Sequence, residues 1–124
     1  MSAERNDRLF VEHQAAHLSP GFTFLMVTME LEAPSFQDMT FGAETKKACL
    51  VDVNSMAVTD GSKLYRFFGD GKDGDSIAKG PKKVDYIYDS EPKKRWCYVY
   101  VIPWPAPALK IQSSQFEPIP LTVK

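Results

Sequence analysis

The sequence has few of the residues and runs that would assign it to a special class of protein. It holds two cysteines, Cys49 and Cys97, and they form no C-x-x-C pair, so the strongest zinc and redox cysteine motifs are excluded. Each cysteine lies in an apolar, strand-like run, which predicts two buried thiols rather than a disulfide. No apolar run approaches the roughly 18 residues of a membrane-spanning helix, and we expect no membrane partner.

An excess of charge of one sign is also missing. The formal net charge is −1, whereas phosphate binding usually leaves a basic imprint on a whole domain. The polar first ten residues, "MSAERNDRLF", lack the apolar segment of a secretory signal, which predicts a cytoplasmic protein. With 124 residues and ordinary apolar and charged fractions, the chain is predicted to form a single globular domain, 1–124.

Histidine is scarce, and both copies lie in one stretch, "VEHQAAHLSPG". His13 and His17 are four residues apart, the spacing of the zinc-protease signature H-E-x-x-H. Gln14 stands where the signature needs a glutamate as general base, and an amide cannot take a proton from a metal-bound water. The pattern therefore predicts no metal and no cofactor, with a site at His13 and His17 as the weakest alternative.

Hydrophobic periodicity and the positions of helix-breaking and turn residues divide the chain into one helix and a β-rich remainder. Ser2 is a candidate cap for a helix over about 3–17, and the helix breakers Pro20 and Gly21 follow its end. The run over 21–31 has apolar residues at both alternating sets of positions, which predicts a central strand covered on two faces. Asp60 and Gly61 predict a hairpin turn between 56–58 and 64–68.

The segment 69–83, "GDGKDGDSIAKGPKK", has four glycines and no usable periodicity. It contains a G-x-G-x-x-G, but no helix follows to hold a pyrophosphate, so a mobile loop is the prediction. One N-terminal helix followed by about six strands, joined by hairpins, predicts an α+β fold. Residues 21–124 are expected to form a β-rich body with a mostly antiparallel, strongly curled sheet, which in the extreme case is barrel-like. The helix is expected to pack on this sheet.

The most informative feature is the pair of apolar runs within 84–102, which predicts a hairpin around a polar turn. Side chains alternate faces along a strand, so pairing Tyr88 with Trp96 would segregate aromatic from aliphatic residues. The predicted aromatic face is an interface or ligand surface, since tyrosine and tryptophan provide rigid, amphipathic contact area. Its members are Tyr86, Tyr88, Trp96, Tyr98 and Tyr100.

Two functions compete for this face, beside the simpler interpretation that it is a second core layer, and a third hypothesis places a pocket inside the curled sheet. The leading hypothesis is a non-catalytic module that binds a small organic ligand or self-associates, most simply as a dimer. The second is single-stranded nucleic-acid binding, disfavoured by nearby Asp85, Asp89 and Glu91. The third is a small enzyme whose acid and base come from distant strands, for example Asp52, Asp85 or His17. The second hypothesis needs a basic rim at Lys82, Lys83, Lys93, Lys94 and Arg95.

Overall fold

The structure, a computed structural model, describes residues 1–11 and 14–124. Strands make up most of that length, and the described residues contain no α-helix and one short 3-10 turn, Val53–Ser55. The strands are β1 (Ser2–Asn6), β2 (Arg8–Val11), β3 (Gln14–His17), β4 (Phe22–Glu32), β5 (Gln37–Phe41), β6 (Glu44–Val51), β7 (Ala57–Thr59), β8 (Arg66–Gly71), β9 (Ala78–Lys79), β10 (Asp85–Tyr88), β11 (Lys93–Pro103), β12 (Leu109–Ser113) and β13 (Phe116–Leu121).

The strands form four separate antiparallel sheets. The main sheet has the order β1-β4-β11-β8-β9, the second sheet β10-β6-β5, the third sheet β13-β12-β7, and β2 and β3 form an N-terminal hairpin. The antiparallel pairing was predicted correctly. The α+β class was wrong, and so was the strongly curled or barrel-like sheet, because the fold is nearly all β and every sheet is open.

The predicted N-terminal helix over 3–17 is wrong, and its described residues form β1, β2 and β3. β1 pairs with β4 from Ser2 opposite Thr28 to Asn6 opposite Phe24. β2 alternates in the manner of a strand, with Leu9 buried and Phe10 exposed. The backbone groups of β1 find their partners in β4 and those of β2 in β3, and this strand pairing overrides the local helix signal.

Two hydrophobic clusters cover the two faces of the main sheet. One contains Leu25 and Val27 of β4 and lies between the main sheet and the second and third sheets. The other contains Phe24 and lies under the N-terminal hairpin, where Leu9 packs. β4 pairs with β1 on one side and β11 on the other, which confirms the predicted central strand over 21–31.

The turn predicted at Asp60 and Gly61 is confirmed, but the predicted hairpin is reduced to one isolated bridge, Thr59 opposite Leu64, because β7 pairs with β12 and β8 pairs with β11. Tyr65 N donates to Val58 O at 2.9 Å, and Gly61 has a positive φ of 101°. One carboxylate oxygen of Asp60 accepts the backbone N–H groups of Ser62 and Lys63, and the other accepts the Tyr65 hydroxyl. These hydrogen bonds to the ionised form, the Ser62 one foremost, hold the pKa of Asp60 well below its usual range.

Part of the segment 69–83 is in strands. Gly69 and Gly71 belong to β8, and Gly69 lies opposite Lys79 of β9. A Cβ on Gly69 would collide with the carbonyl oxygen of Ala78. Glycine is therefore required at position 69 because β9 approaches the backbone closely.

Candidate functional site

The structure separates the five predicted aromatic residues into two groups. Tyr98 and Tyr100 are fully buried in the core between the main sheet and the second and third sheets, and Trp96 packs half-buried at the edge of that core. Tyr86 and Tyr88 are also half-buried, but they contact Phe41 of the second sheet, at ring-centroid distances of 4.9 and 5.6 Å. The predicted single aromatic face is not formed.

The reason is the pairing of β10. This strand pairs with β6, with Tyr88 opposite Ala48, and the predicted 84–102 hairpin is not formed. Ile87 is buried in the core, so its neighbours Tyr86 and Tyr88 lie on the other face of the second sheet. Within β11 the predicted alternation is confirmed, because Cys97, Val99 and Val101 belong to the cluster on the opposite face from Tyr98 and Tyr100.

Three of the predicted aromatic residues nevertheless meet three of the predicted basic ones at one place, which we call the Trp96 depression. It has a volume of about 480 Å³ and lies where β10 and β11 diverge from their connecting turn. Four of its residues carry a positive charge and one a negative charge, so the lining has an excess of positive charge. Its lining residues are Lys72, Tyr86, Ile87, Tyr88, Glu91, Lys93, Lys94, Arg95 and Trp96.

The side chain of Trp96 is held on two sides by charged groups. Its indole Nε1 donates to Asp70 Oδ2 at 3.2 Å, and Lys94 Nζ lies 4.4 Å from the centre of its ring. Lys94 also donates to Asp85 Oδ2 at 2.5 Å, and both side chains are more than 70% shielded from solvent. Asp85 therefore has a partner within the protein, which leaves Lys72, Lys93 and Arg95 as the exposed cations of the depression.

The hydroxyl groups of Tyr98 and Tyr100 are buried and have no hydrogen-bond partner among the described residues. Burial raises the pKa of both hydroxyls well above the usual range of tyrosine. These two residues lie on the same face of β11 as Trp96, deeper in the core. Their position is that of a core layer beneath the depression.

The remaining residues of the predicted basic rim lie elsewhere. Lys82 Nζ donates to the carbonyl oxygen of Met56 at 2.6 Å, and burial lowers its pKa. Lys83 is exposed and does not line the Trp96 depression. The depression gains instead Lys72, which sequence reasoning missed because it lies in the glycine-rich segment 69–83, where no periodicity indicates a position.

The alternative metal and enzyme hypotheses concern residues in two parts of the fold. His17 lies in the N-terminal hairpin, whereas Asp52 and Asp85 lie near the paired ends of β6 and β10, where Asp85 is opposite Val51. His17 is exposed in β3, opposite Arg8, whereas His13 lies outside the described residues. Over 1–11 and 14–124, no group of three histidine, cysteine or acidic residues is arranged to hold a metal ion. Asp52 accepts a hydrogen bond from Ser114, so it is in a different environment from Asp85.

The two cysteines differ in exposure. Cys97 is buried in β11, and burial raises the pKa of its thiol, whereas Cys49 is half-buried in β6. Neither forms a disulfide. The predicted pair of free thiols is confirmed, but full burial holds for Cys97 alone.

No known protein family, no curated protein and no solved structure matches this chain. In the described part of the chain, no helix has the length and apolar character needed to cross a membrane. The features of this chain that indicate a function are therefore the geometry and charge of the Trp96 depression.

Proposed function

We propose that this protein is a non-catalytic binding module whose Trp96 depression takes a small organic anion. The observation that carries the proposal is the convergence of Lys72, Lys93 and Arg95 on an open depression beside a half-buried tryptophan. Cations supply attraction to an anion, and the indole supplies rigid apolar area. A ligand with a planar ring and a negative group satisfies both.

Of the five aromatic residues predicted from the sequence, only those that line the depression are proposed to contact the ligand. Trp96, Tyr86 and Tyr88 line the depression, while Tyr98 and Tyr100 are fully buried. A fully buried side chain cannot contact a ligand unless the core opens. Tyr98 and Tyr100 therefore support the depression from below and contribute to stability rather than to affinity.

The test is a fluorescence titration with 8-anilino-1-naphthalenesulfonate, compared with N-phenyl-1-naphthylamine, which has the same rings without the sulfonate. We expect the double substitution Lys93→Gln/Arg95→Gln to weaken sulfonate binding about fivefold, as for the loss of two exposed charge contacts. The matched control is Lys63→Gln/Arg66→Gln, which removes one exposed lysine and one exposed arginine outside the depression.

The proposal fails if both double variants bind the sulfonate equally. Binding of the neutral amine should be the same in all three proteins, because it has no charge for Lys93 or Arg95 to contact. A loss of neutral-amine affinity in Lys93→Gln/Arg95→Gln would indicate a change of shape rather than of charge.

A second candidate function is single-stranded nucleic-acid binding. It is favoured by the rings of Phe41, Tyr86 and Tyr88 close to the exposed Lys46, whose Nζ lies 5.4 Å from the Tyr88 ring centre. Such a surface stacks bases and contacts phosphates. Titration with a dodecamer of thymidylate should then give an affinity that falls steeply with salt, and a salt-independent or absent signal would reject this function.

Self-association at the same depression is the other form of the binding hypothesis. Sedimentation equilibrium between about 5 and 200 μM, a range suited to weak interfaces, would detect it. A dimer that dissociates on Lys93→Gln/Arg95→Gln would place a second copy in the depression. A monomer across the whole range leaves the depression free for a ligand.

A further inference from the structure

β11 loses one of its neighbours at the Trp96 depression. β8 pairs with β11 from Val101 to Cys97, and the last pair is Cys97 opposite Gly71. Residues 93–96 pair with β4 on one side only, and β10 pairs with β6 instead. On the other side, the backbone of 93–96 is a free sheet edge among the described residues, and it is about 13 Å long at 3.3 Å per residue.

On one side, residues 93–96 pair with β4, and the β4 sequence shows which residue types suit this part of β11. β4 places an acidic residue opposite each exposed cation, with Glu32 opposite Lys93 and Glu30 opposite Arg95. It places an apolar residue at the alternate positions, with Leu31 opposite Lys94 and Met29 opposite Trp96. Opposite charges directly across a strand pair stabilise it, so 93–96 prefers a partner in which acidic and apolar residues alternate.

The free edge has open space on both of its faces. The Trp96 depression includes Lys94 and Trp96 from one face of β11. A second depression of about 460 Å³ includes Arg95 and Cys97 from the other face, and Lys72 and Arg95 line both. An added strand sends its side chains alternately to the two faces, and both faces have room for them.

We infer that the free edge at 93–96 binds an extended acidic segment of a partner protein as an added β-strand. The inference rests on the proposed function, because the acidic and apolar side chains of the segment take the places of the negative group and the ring of the proposed anion. The acidic side chains of the segment contact Lys93 and Arg95, and the apolar ones contact Trp96. Main-chain hydrogen bonds supply affinity and the alternating side chains supply specificity.

The charges of the edge select a different protein over a second copy of the same edge. Antiparallel pairing of 93–96 with itself would place lysine and arginine side chains opposite one another, which is destabilising. Glu4 and Asp73 in the second depression reduce its positive charge, so a segment with two acidic residues fits better than a long acidic run.

A simpler role for these cations is protection, since lysine on a sheet edge discourages pairing with other chains. The two roles differ in what they predict. A protective edge rejects every extended peptide, whereas a recognition edge binds an acidic alternating peptide and rejects its neutral counterpart.

The probe is a fluorescein-labelled peptide with the sequence of residues 28–33, Thr-Met-Glu-Leu-Glu-Ala, measured by fluorescence anisotropy against the full chain. We expect saturable binding that weakens at least fivefold when both glutamates of the peptide are glutamine. Lys93→Gln/Arg95→Gln should weaken binding to the same extent, and the control Lys63→Gln/Arg66→Gln should not. Equal binding of the acidic and neutral peptides would overturn the inference.

Two further peptides test strand pairing itself. One carries an N-methyl group on the first glutamate and the other on the adjacent leucine. Successive amides of an edge strand point in opposite directions, so strand addition predicts that one methylation abolishes binding and the other leaves it nearly unchanged. Equal effects of the two methylations would overturn strand addition.

The outcomes separate this inference from the proposed function. Binding of 8-anilino-1-naphthalenesulfonate without peptide binding would overturn the peptide class and leave the anion site intact. Absence of both would reject both proposals. A dimer that breaks on Lys93→Gln/Arg95→Gln would assign the edge to a second copy and overturn the inference of a different partner.

Discussion

Residues 97–102 and 93–96 belong to the same strand, β11, and both pair with β4, but they differ in burial and in the neighbour on their other side. The first part lies between β4 and β8 and is buried on both faces, whereas the second part pairs with β4 alone and has exposed or half-buried side chains. Trp96 and Tyr98 are two residues apart on one face, yet only Tyr98 is fully buried. Neighbouring strands, rather than the alternation of the strand itself, decide which aromatic residue is core and which is surface.

The strongest test of this contrast is to remove one aromatic ring from each group. Tyr100→Ala should lower the free energy of unfolding by about 4 kcal/mol, because it leaves a large cavity in a closed core. Tyr88→Ala, at a half-buried position on the second sheet, should cost about 1 kcal/mol. Urea unfolding gives both values. Equal losses would mean that Tyr88 is as important to the core as Tyr100, which would contradict the contrast.

The closed part also depends on how closely β9 approaches β8. Gly69→Ala should cost about 2 kcal/mol, because its Cβ would collide with the Ala78 carbonyl group and overpacking is destabilising. Gly80→Ala is the matched control, since an added Cβ there has no heavy atom within 4 Å. If both glycines tolerate alanine equally in thermal unfolding, the close approach of β9 is absent in solution.

Removing the two buried tyrosine hydroxyls should have a smaller effect on the free energy of unfolding, and of the opposite sign. Tyr98→Phe/Tyr100→Phe should raise the free energy of unfolding by about 1 kcal/mol at pH 7, since removing unpartnered buried polar groups relieves a desolvation cost. A loss of stability in the double variant would mean that both hydroxyls have hydrogen-bond partners in solution.

The stability advantage of the same variant over the unmodified protein should increase above pH 10. Burial raises the pKa of both hydroxyls in the folded state, so the unfolded chain releases these protons first and the stability of the unmodified protein falls as pH rises. The advantage of the phenylalanine variant should therefore increase between pH 9 and 11, as measured by urea unfolding. A constant difference across that range would contradict the raised pKa values.

The smallest effect on stability is expected in the open part. Lys93→Gln/Arg95→Gln should change the free energy of unfolding by less than about 0.5 kcal/mol, because both side chains are exposed. The same substitution is expected to weaken anion binding about fivefold. A large loss of stability without a loss of binding would show that Lys93 and Arg95 stabilise the fold, opposite Glu32 and Glu30, and do not bind the anion.

The sequence was most informative where local chemistry alone decides the structure. Asp60 and Gly61 specify their turn by a hydrogen-bonding carboxylate and a positive φ, and the apolar run over 21–31 specifies a strand covered on two faces. The helix predicted over 3–17 failed because Ser2–Asn6 exchanges its hydrogen bonds with β4, far along the chain. No local pattern reveals such a partner.

The candidate site was predictable in part for the same reason. The alternation of β11 placed Trp96, Tyr98 and Tyr100 on one face, which is correct. The partner of β10 was not readable from "VDYIYDSEPKKRW", since a short polar turn is compatible with either a closed hairpin or two strands that separate. Because β10 pairs with β6, Tyr86 and Tyr88 lie on the other face of the second sheet from the core that holds Tyr98 and Tyr100, and of the aromatic residues of β11 they meet only Trp96, at the Trp96 depression.

The pairing of β4 with β11 also has a consequence for the time order of folding. β4 ends at Glu32 and its partner does not begin until Lys93, so the two strands emerge from the ribosome at very different times. Long-range strand pairing is slow because a large loop must close first. The nascent chain therefore carries the apolar side chains of β4 without their main partner strand until β11 has been synthesised, and exposed apolar surface of this kind is prone to aggregate.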